Sequence, residues 1–157
     1  MLLFAYGTLM DAEVRALVLG RPAPEATPAS LGGWRRVRVP GEAYPALVPD
    51  EGATVAGLLV EIQGGAELDR LRFFEGKYYE LRECAVESPR GPATAWLSLP
   101  VDDHPWEEGG WDLASWAPHR EAYLQATEAY MAAYGAVDLD HIHLIWQAYG
   151  HGRAKLA

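Results

Sequence analysis

Glu75 is the acid whose position points most directly to chemistry. In the run Leu68-Asp69-Arg70-Leu71-Arg72-Phe73-Phe74-Glu75, the residues Leu68, Leu71 and Glu75 recur at helical spacing on one face, with Phe74 beside them. Gly76 stops the helix there. A carboxylate on an apolar face is costly to ionise, so its pKa is expected to rise. It is then either a neutral structural group or a tuned acid and base. The other acids of the run, Glu67 and Asp69, point elsewhere and are expected to pair with Arg70 and Arg72. The second stretch is Phe4-Ala5-Tyr6-Gly7-Thr8-Leu9-Met10. A short apolar strand ends there in a glycine turn that feeds a helix N-terminus capped by Asp11. Such a turn gathers backbone N–H groups into one concavity, where they bind an anion or a developing oxyanion. In the plainer reading, Gly7 only relieves a tight turn.

Other reactive side chains carry less. His141 and His143, with Asp138 and Asp140, resemble a metal set, but residues two apart lie on different sides of a helix and only a strand aligns them. No metal is assigned. Cys84 falls in a predicted strand without a local base and reads as a small core residue or an edge thiol. Arg35, Arg36 and Arg38 read as a solvated strand face, or else as a carboxylate site. Gly76-Lys77 lacks the upstream glycine of a phosphate loop, since Leu71 stands there. None of Ser30, Ser88, Ser98 and Ser115 sits in a nucleophile elbow.

The elements that must position these groups follow from pattern. Residues 2–5 read as a buried strand and residues 12–19 as a helix that Gly20 stops. Residues 21–30 form a Pro/Ala-rich connector, and residues 31–40 a half-buried strand. Asp50-Glu51-Gly52 reads as a turn before a strand over 54–62, whose Gly57 marks a bulge or a close backbone approach. After the helix over 66–74 come strands over 78–87 and 93–99, joined by a turn. Residues 101–111 read as a lid or a long loop. Ser115 is expected to cap the longest helix, 116–134, with Pro118 in its first turn. Its stripe Tyr123, Thr127, Tyr130 and Tyr134 reads as core or interface rather than ligand site. Asp140 is expected to cap a last segment packing through Ile142, Ile145, Trp146 and Tyr149, before a frayed tail over 150–157. Successive strands joined by turns predict hairpins and a curved, largely antiparallel sheet.

The composition is that of a globular chain: 157 residues, half of them apolar, with six Trp and eight Tyr. That length suits one domain. A net charge of −9 and no basic patch argue against nucleic-acid binding. No apolar run is long enough to cross a membrane, and no secretory leader is visible. The single cysteine suits a cytoplasmic setting.

Two stretches together become specific. Tyr6-Gly7-Thr8-Leu9 on a first strand, followed some 65 residues later by Leu68-Asp69-x3-Phe73-Phe74-Glu75-Gly76-x2-Tyr79, resembles the gamma-glutamylcyclotransferase-like superfamily. The nearest likeness is to its AIG2-like and gamma-glutamylamine cyclotransferase branch. Tyr44-Pro45-Ala46-Leu47-Val48, Val55-x-Gly57-x-Leu59 and Ala93-Thr94-Ala95-Trp96 look like the family's intervening and following strands. The family often has an Arg two residues after its Tyr; here Leu81 stands there, and Arg82 follows. The resemblance implies an α+β fold, a small mixed and mostly antiparallel β-barrel flanked by helices. Its core would span about 1–100, within one domain that also carries a helical extension over about 112–150. It further implies release of a γ-glutamyl group as 5-oxoproline, with Glu75 as general acid and base. Gly7, Thr8 and Leu9 would then bind the substrate, Tyr6 and Tyr79 would line the cavity, and no metal, nucleotide or other cofactor is needed. The implied partner is a small γ-glutamyl compound, and the Tyr-rich helix makes a homodimer a candidate. A non-catalytic module of the same fold, binding a small metabolite or a partner protein, is the rival reading. A metal-dependent hydrolase using His141 and His143 is the second.

Overall fold

In the computed structural model, which describes residues 1–148, five strands close on themselves. They are β1 (Leu2–Ala5), β2 (Ala26–Arg38), β3 (Pro45–Glu61), β4 (Tyr79–Ser88) and β5 (Gly91–Pro100). Their order around the barrel is β1-β3-β2-β4-β5. Every neighbouring pair is antiparallel except β1 with β5, which closes the barrel in parallel. The fold is the expected α+β mixed barrel flanked by helices. Closure leaves no sheet edge exposed along its whole length.

Alternation along β1 divides the core. Phe4 and Tyr6 face inward, with Leu31, Leu47, Val55, Leu59, Val86, Ala95, Leu97 and Leu99 from the other strands. Leu3 and Ala5 face outward, toward Val14 and Val18 of α1 (Ala12–Leu19) and Leu68 and Leu71 of α2 (Gly64–Glu75). A strand buried on both faces needs the unbroken apolar run this one has. Asp11 caps α1 by accepting from the N–H groups of Glu13 and Val14 at 2.9 and 3.1 Å, and Gly20 ends it in the left-handed region. Gly57 has no room for a side chain: a Cβ there would lie 2.5 Å from the Ala5 carbonyl oxygen and 2.6 Å from the Phe4 ring. Its close-approach reading holds.

Several boundaries differ from the sequence reading. Strand β2 starts at Ala26, so only residues 21–25 connect, because β3 offers it partners from Val60 onward. Asp50-Glu51-Gly52 is not a turn. Strand β3 runs through it, and the pairing shifts there: Gly32 is opposite Thr54 and Trp34 opposite Pro49, so Gly33 alone faces residues 50–53. The turn-forming residues mark a bulge in a bent strand. The long helix is broken into α3 (Leu113–Trp116), a 3-10 turn at Ala117–His119 around Pro118, and α4 (Arg120–Ala132). Asp112 rather than Ser115 caps α3, in a reciprocal capping box with Ser115. Likewise Asp138, not Asp140, caps α5 (Leu139–Trp146). Tyr149 and residues 150–157 lie outside the described residues. Residues 101–111 form a loop tied to the barrel by the Arg38–Glu107 bridge and by the Trp111 indole, which donates to the Ala43 carbonyl at 2.6 Å. No residue of that loop lines the cavity described next, so the lid reading is set aside.

Candidate active site

One end of the barrel opens into a cavity of about 190 Å³ between the loop after β1, the end of α2 and helices α4 and α5. That is smaller than the ~300–1,000 Å³ of sites for drug-sized ligands and suits an occupant of amino-acid size. Tyr6, Gly7, Thr8, Leu9, Glu75 and Tyr79 all line it. The structure therefore brings together the residues of the two motifs, Tyr6 to Leu9 and Glu75 with Tyr79.

Each is placed by a local cause. After Tyr6 the chain turns into a short 3-10 helix, Thr8–Met10, whose opening N–H groups have no partner within the turn. At Gly7 the turn packs closely on Pro45: a Cβ would lie 3.1 Å from that ring, which would have to give by a few tenths of an ångström. Arg15 of α1 holds the turn from behind, donating to the Leu9 and Met10 carbonyls at 3.1 and 2.8 Å. Tyr6 is buried and donates to the Ser98 carbonyl at 2.6 Å, tying the end of β1 to β5.

Glu75 is the last residue of α2. Gly76 follows with φ 71° and ψ −162°, a region that only glycine occupies without strain, and turns the chain sharply into β4. The carboxyl stands among tyrosines: its charge pushes up the pKa of Tyr6, Tyr44, Tyr79, Tyr123 and Tyr130, adding to burial in each case. Burial pushes Glu75 itself up to about 7, and a hydrogen bond with the Ser98 side chain pulls it partly back. No cation among the described residues offsets the burial. Its place at a helix C-terminus disfavours the charge further. The Tyr79 hydroxyl is buried without a partner among the described residues, and so offers a hydrogen bond to a ligand.

Sequence reasoning missed Ser98, Tyr44, Tyr123, Tyr130 and Trp146, which also line the cavity. The hydroxyl inside the apolar run Trp96-Leu97-Ser98-Leu99 was an available signal for Ser98. The spacing of the α4 stripe reads as core or interface. Tyr123 and Tyr130 do belong to the buried core and line the cavity as well, Thr127 is buried, and Tyr134 is 38 % exposed.

Two pairings also need correction. Glu67 does not pair with Arg70. It is buried at the N-terminal end of α2, where it binds Arg21 and accepts from the Gln63 N–H at 2.6 Å. Arg70 donates instead to the Val18 and Leu17 carbonyls. Asp69 does pair with Arg72, at 3.0 Å. Arg82 is exposed and paired with Glu80, away from the cavity.

A family model described as gamma-glutamyl cyclotransferase, AIG2-like, matches residues 3–113. The chain belongs to this family. AIG2-like protein C of Arabidopsis thaliana is 30% identical over 136 residues, covering 82% of this chain and 77% of that one. AIG2-like protein D of the same plant is 30% identical over 135 residues, with 81% and 86% covered. An Arabidopsis thaliana protein known from a solution structure superposes with a TM-score of 0.62 at 26% identity, over 85% of this chain and 82% of that one. A gamma-glutamyl cyclotransferase superposes with a TM-score of 0.53 at 16% identity, over 92% and 85%. At that identity the likeness speaks for the fold. In this AIG2-like chain α4 and α5 lie beyond the family-model match, yet both wall the cavity.

The histidines part company on α5. His143 lines the cavity, while His141 is exposed and bonded to Asp138 at 2.6 Å. Among the described residues no group of three His, Cys, Asp or Glu side chains gathers as a metal site. No helix among them is long and apolar enough to cross a membrane. Cys84 is free and half-buried in β4, packed against the barrel interior.

Proposed function

We propose that the protein is a cofactor-independent cyclotransferase that releases 5-oxoproline and an amine from a small γ-glutamyl compound, in a cytoplasmic setting. The observation that carries this reading is that Glu75, a half-buried carboxyl that no cation among the described residues offsets, and the Gly7–Leu9 turn line one cavity. Family membership agrees with it.

The chemistry needs few groups because nucleophile and electrophile share one molecule. Holding the substrate folded removes much of the barrier. The Glu75 carboxylate takes a proton from the substrate's α-ammonium. A group near pKa 7 is half ionised at neutral pH and can both take and return a proton. The freed amine attacks the γ-carbonyl carbon and closes the five-membered ring. Negative charge gathers on the former carbonyl oxygen. The N–H groups of Gly7, Thr8 and Leu9 face either this oxyanion or the substrate's α-carboxylate. Glu75 then gives its proton to the departing nitrogen, and the bond from that nitrogen to the γ-carbon breaks. The ring nitrogen's surplus proton leaves through the same carboxyl, ending on the released amine. Tyr6 and Tyr79 shape the cavity around the γ-glutamyl group.

The test is to incubate the purified protein with a panel of γ-glutamyl compounds and follow 5-oxoproline by mass spectrometry. Formation of 5-oxoproline from at least one member is expected. Binding of panel members with no product from any would overturn the catalytic reading in favour of a non-catalytic metabolite-binding module.

A further inference from the structure

The two halves of the site come from distant parts of the chain, and α4 touches both. At one end the Tyr123 hydroxyl lies 2.9 Å from the Thr8 hydroxyl. At the other, the Tyr130 hydroxyl donates to the Phe73 carbonyl at 2.7 Å. That carbonyl belongs to the last turn of α2, where carbonyls lose their helical partners, and it lies two residues before Glu75. Seven residues are two helical turns, so both tyrosines project from one side of α4, about 10 Å apart along its axis. Both are buried, at 4 % and 5 % exposure. The helix is itself anchored where it begins: Arg120 pairs with Asp11 at 2.8 Å, immediately after the Thr8 turn.

We propose that α4 is a two-point brace, with Tyr123 and Tyr130 as positioning residues. Their hydroxyls hold the Thr8 turn and the end of α2 at a fixed separation across the cavity. The catalytic consequence rests on the cyclotransferase reading; the mechanical tie does not. A substrate gripped at one end by the turn must present its amine to Glu75 at the other. An error of about 1 Å in such a span costs on the order of a hundredfold in rate. This assigns a function to a helix outside the residues matched by the family model. It also explains why the stripe carries hydroxyls at positions where phenylalanine would pack as well.

The test uses Tyr123→Phe, Tyr130→Phe and the double variant, which keep the rings, including the Phe73–Tyr130 contact at 5.1 Å. Hydrogen exchange reads the tie directly. The Met10 and Asp11 amides are bonded to the Gly7 and Thr8 carbonyls, and the Gly76 amide to that of Arg72. Tyr123→Phe should speed exchange at Met10 and Asp11 but not at Gly76, and Tyr130→Phe the reverse. In turnover each single variant should lose about ten- to a hundredfold in kcat with KM changed much less. The double variant should lose less than the product of the two, because a brace cut at either end no longer sets the span. Unchanged exchange at these amides, exchange raised uniformly along the chain, or kcat retained in both single variants would overturn the proposal. If the wild type releases no 5-oxoproline, the cyclotransferase reading fails, and the exchange pattern alone decides for or against the brace.

Discussion

The two ends of α2 each carry a glutamate with a shifted pKa, and the shifts run in opposite directions. Glu67, in the first turn, is held below the usual carboxylate range by its hydrogen bond with Arg21, against a smaller opposing effect of burial. The Gln63 N–H and the positive end of the helix add to this. Glu75, in the last turn, has burial as its largest influence and, among the described residues, only a serine to oppose it, and rises to about 7. One helix thus holds a carboxylate that stabilises the fold and one that is expensive to charge. Burial alone does not mark a reactive acid; burial without a cation does.

The largest stability effect expected from breaking this contrast is at Glu75. Its folded pKa lies above the ordinary 4.5, so the native state is favoured while the group is protonated and loses that advantage as pH rises through about 7. The charge then costs at most about 3 kcal/mol. Glu75→Gln should therefore melt like the wild type near pH 4 and at higher temperature above pH 8, measured by thermal unfolding across pH. At Glu67 the sign reverses. Its stabilisation is present above the unfolded pKa and fades as pH falls through the lowered folded value. Glu67→Gln should lose about 1–2 kcal/mol at neutral pH, with the deficit closing in acid and turnover per folded molecule unchanged. Urea titrations at pH 7 and pH 3 measure it. The smallest effect is at Ser98. Removing the hydroxyl in Ser98→Ala takes away the one group among the described residues that pulls the Glu75 pKa down. The acid limb of the kcat/KM profile should then move about half a unit toward higher pH.

Much of the site was legible because it is written locally. Leu68, Leu71 and Glu75 share a face through helical periodicity alone, and Asp11 caps through its own neighbours. Gly57 stood for a bulge or a close approach because a glycine inside an apolar strand has few other uses, and the Ala5 carbonyl and Phe4 ring decide for the approach. What stayed hidden depends on distant partners. The Asp50-Glu51-Gly52 segment has turn chemistry, but β2 pairs on both sides of it and converts a turn into a bulge. Glu67 had Arg70 one helical turn away and found Arg21, 46 residues back. Asp112 stands where Ser115 was expected, and Asp138 where Asp140 was, because several cap-competent side chains lie within three residues and local pattern does not rank them. The Tyr123 and Tyr130 hydroxyls bond across 115 and 57 residues, and periodicity cannot tell a ring that fills a core from one that walls a cavity.

The role of Glu75 is tested most directly by 5-oxoproline release from the wild type and from Glu75→Gln, side by side, on the best γ-glutamyl substrate near pH 7.5. General acid–base catalysis contributes about 10²–10⁴-fold. Product is expected from the wild type, with a loss of that size in a variant that remains folded. Equal turnover by the two proteins would contradict this role.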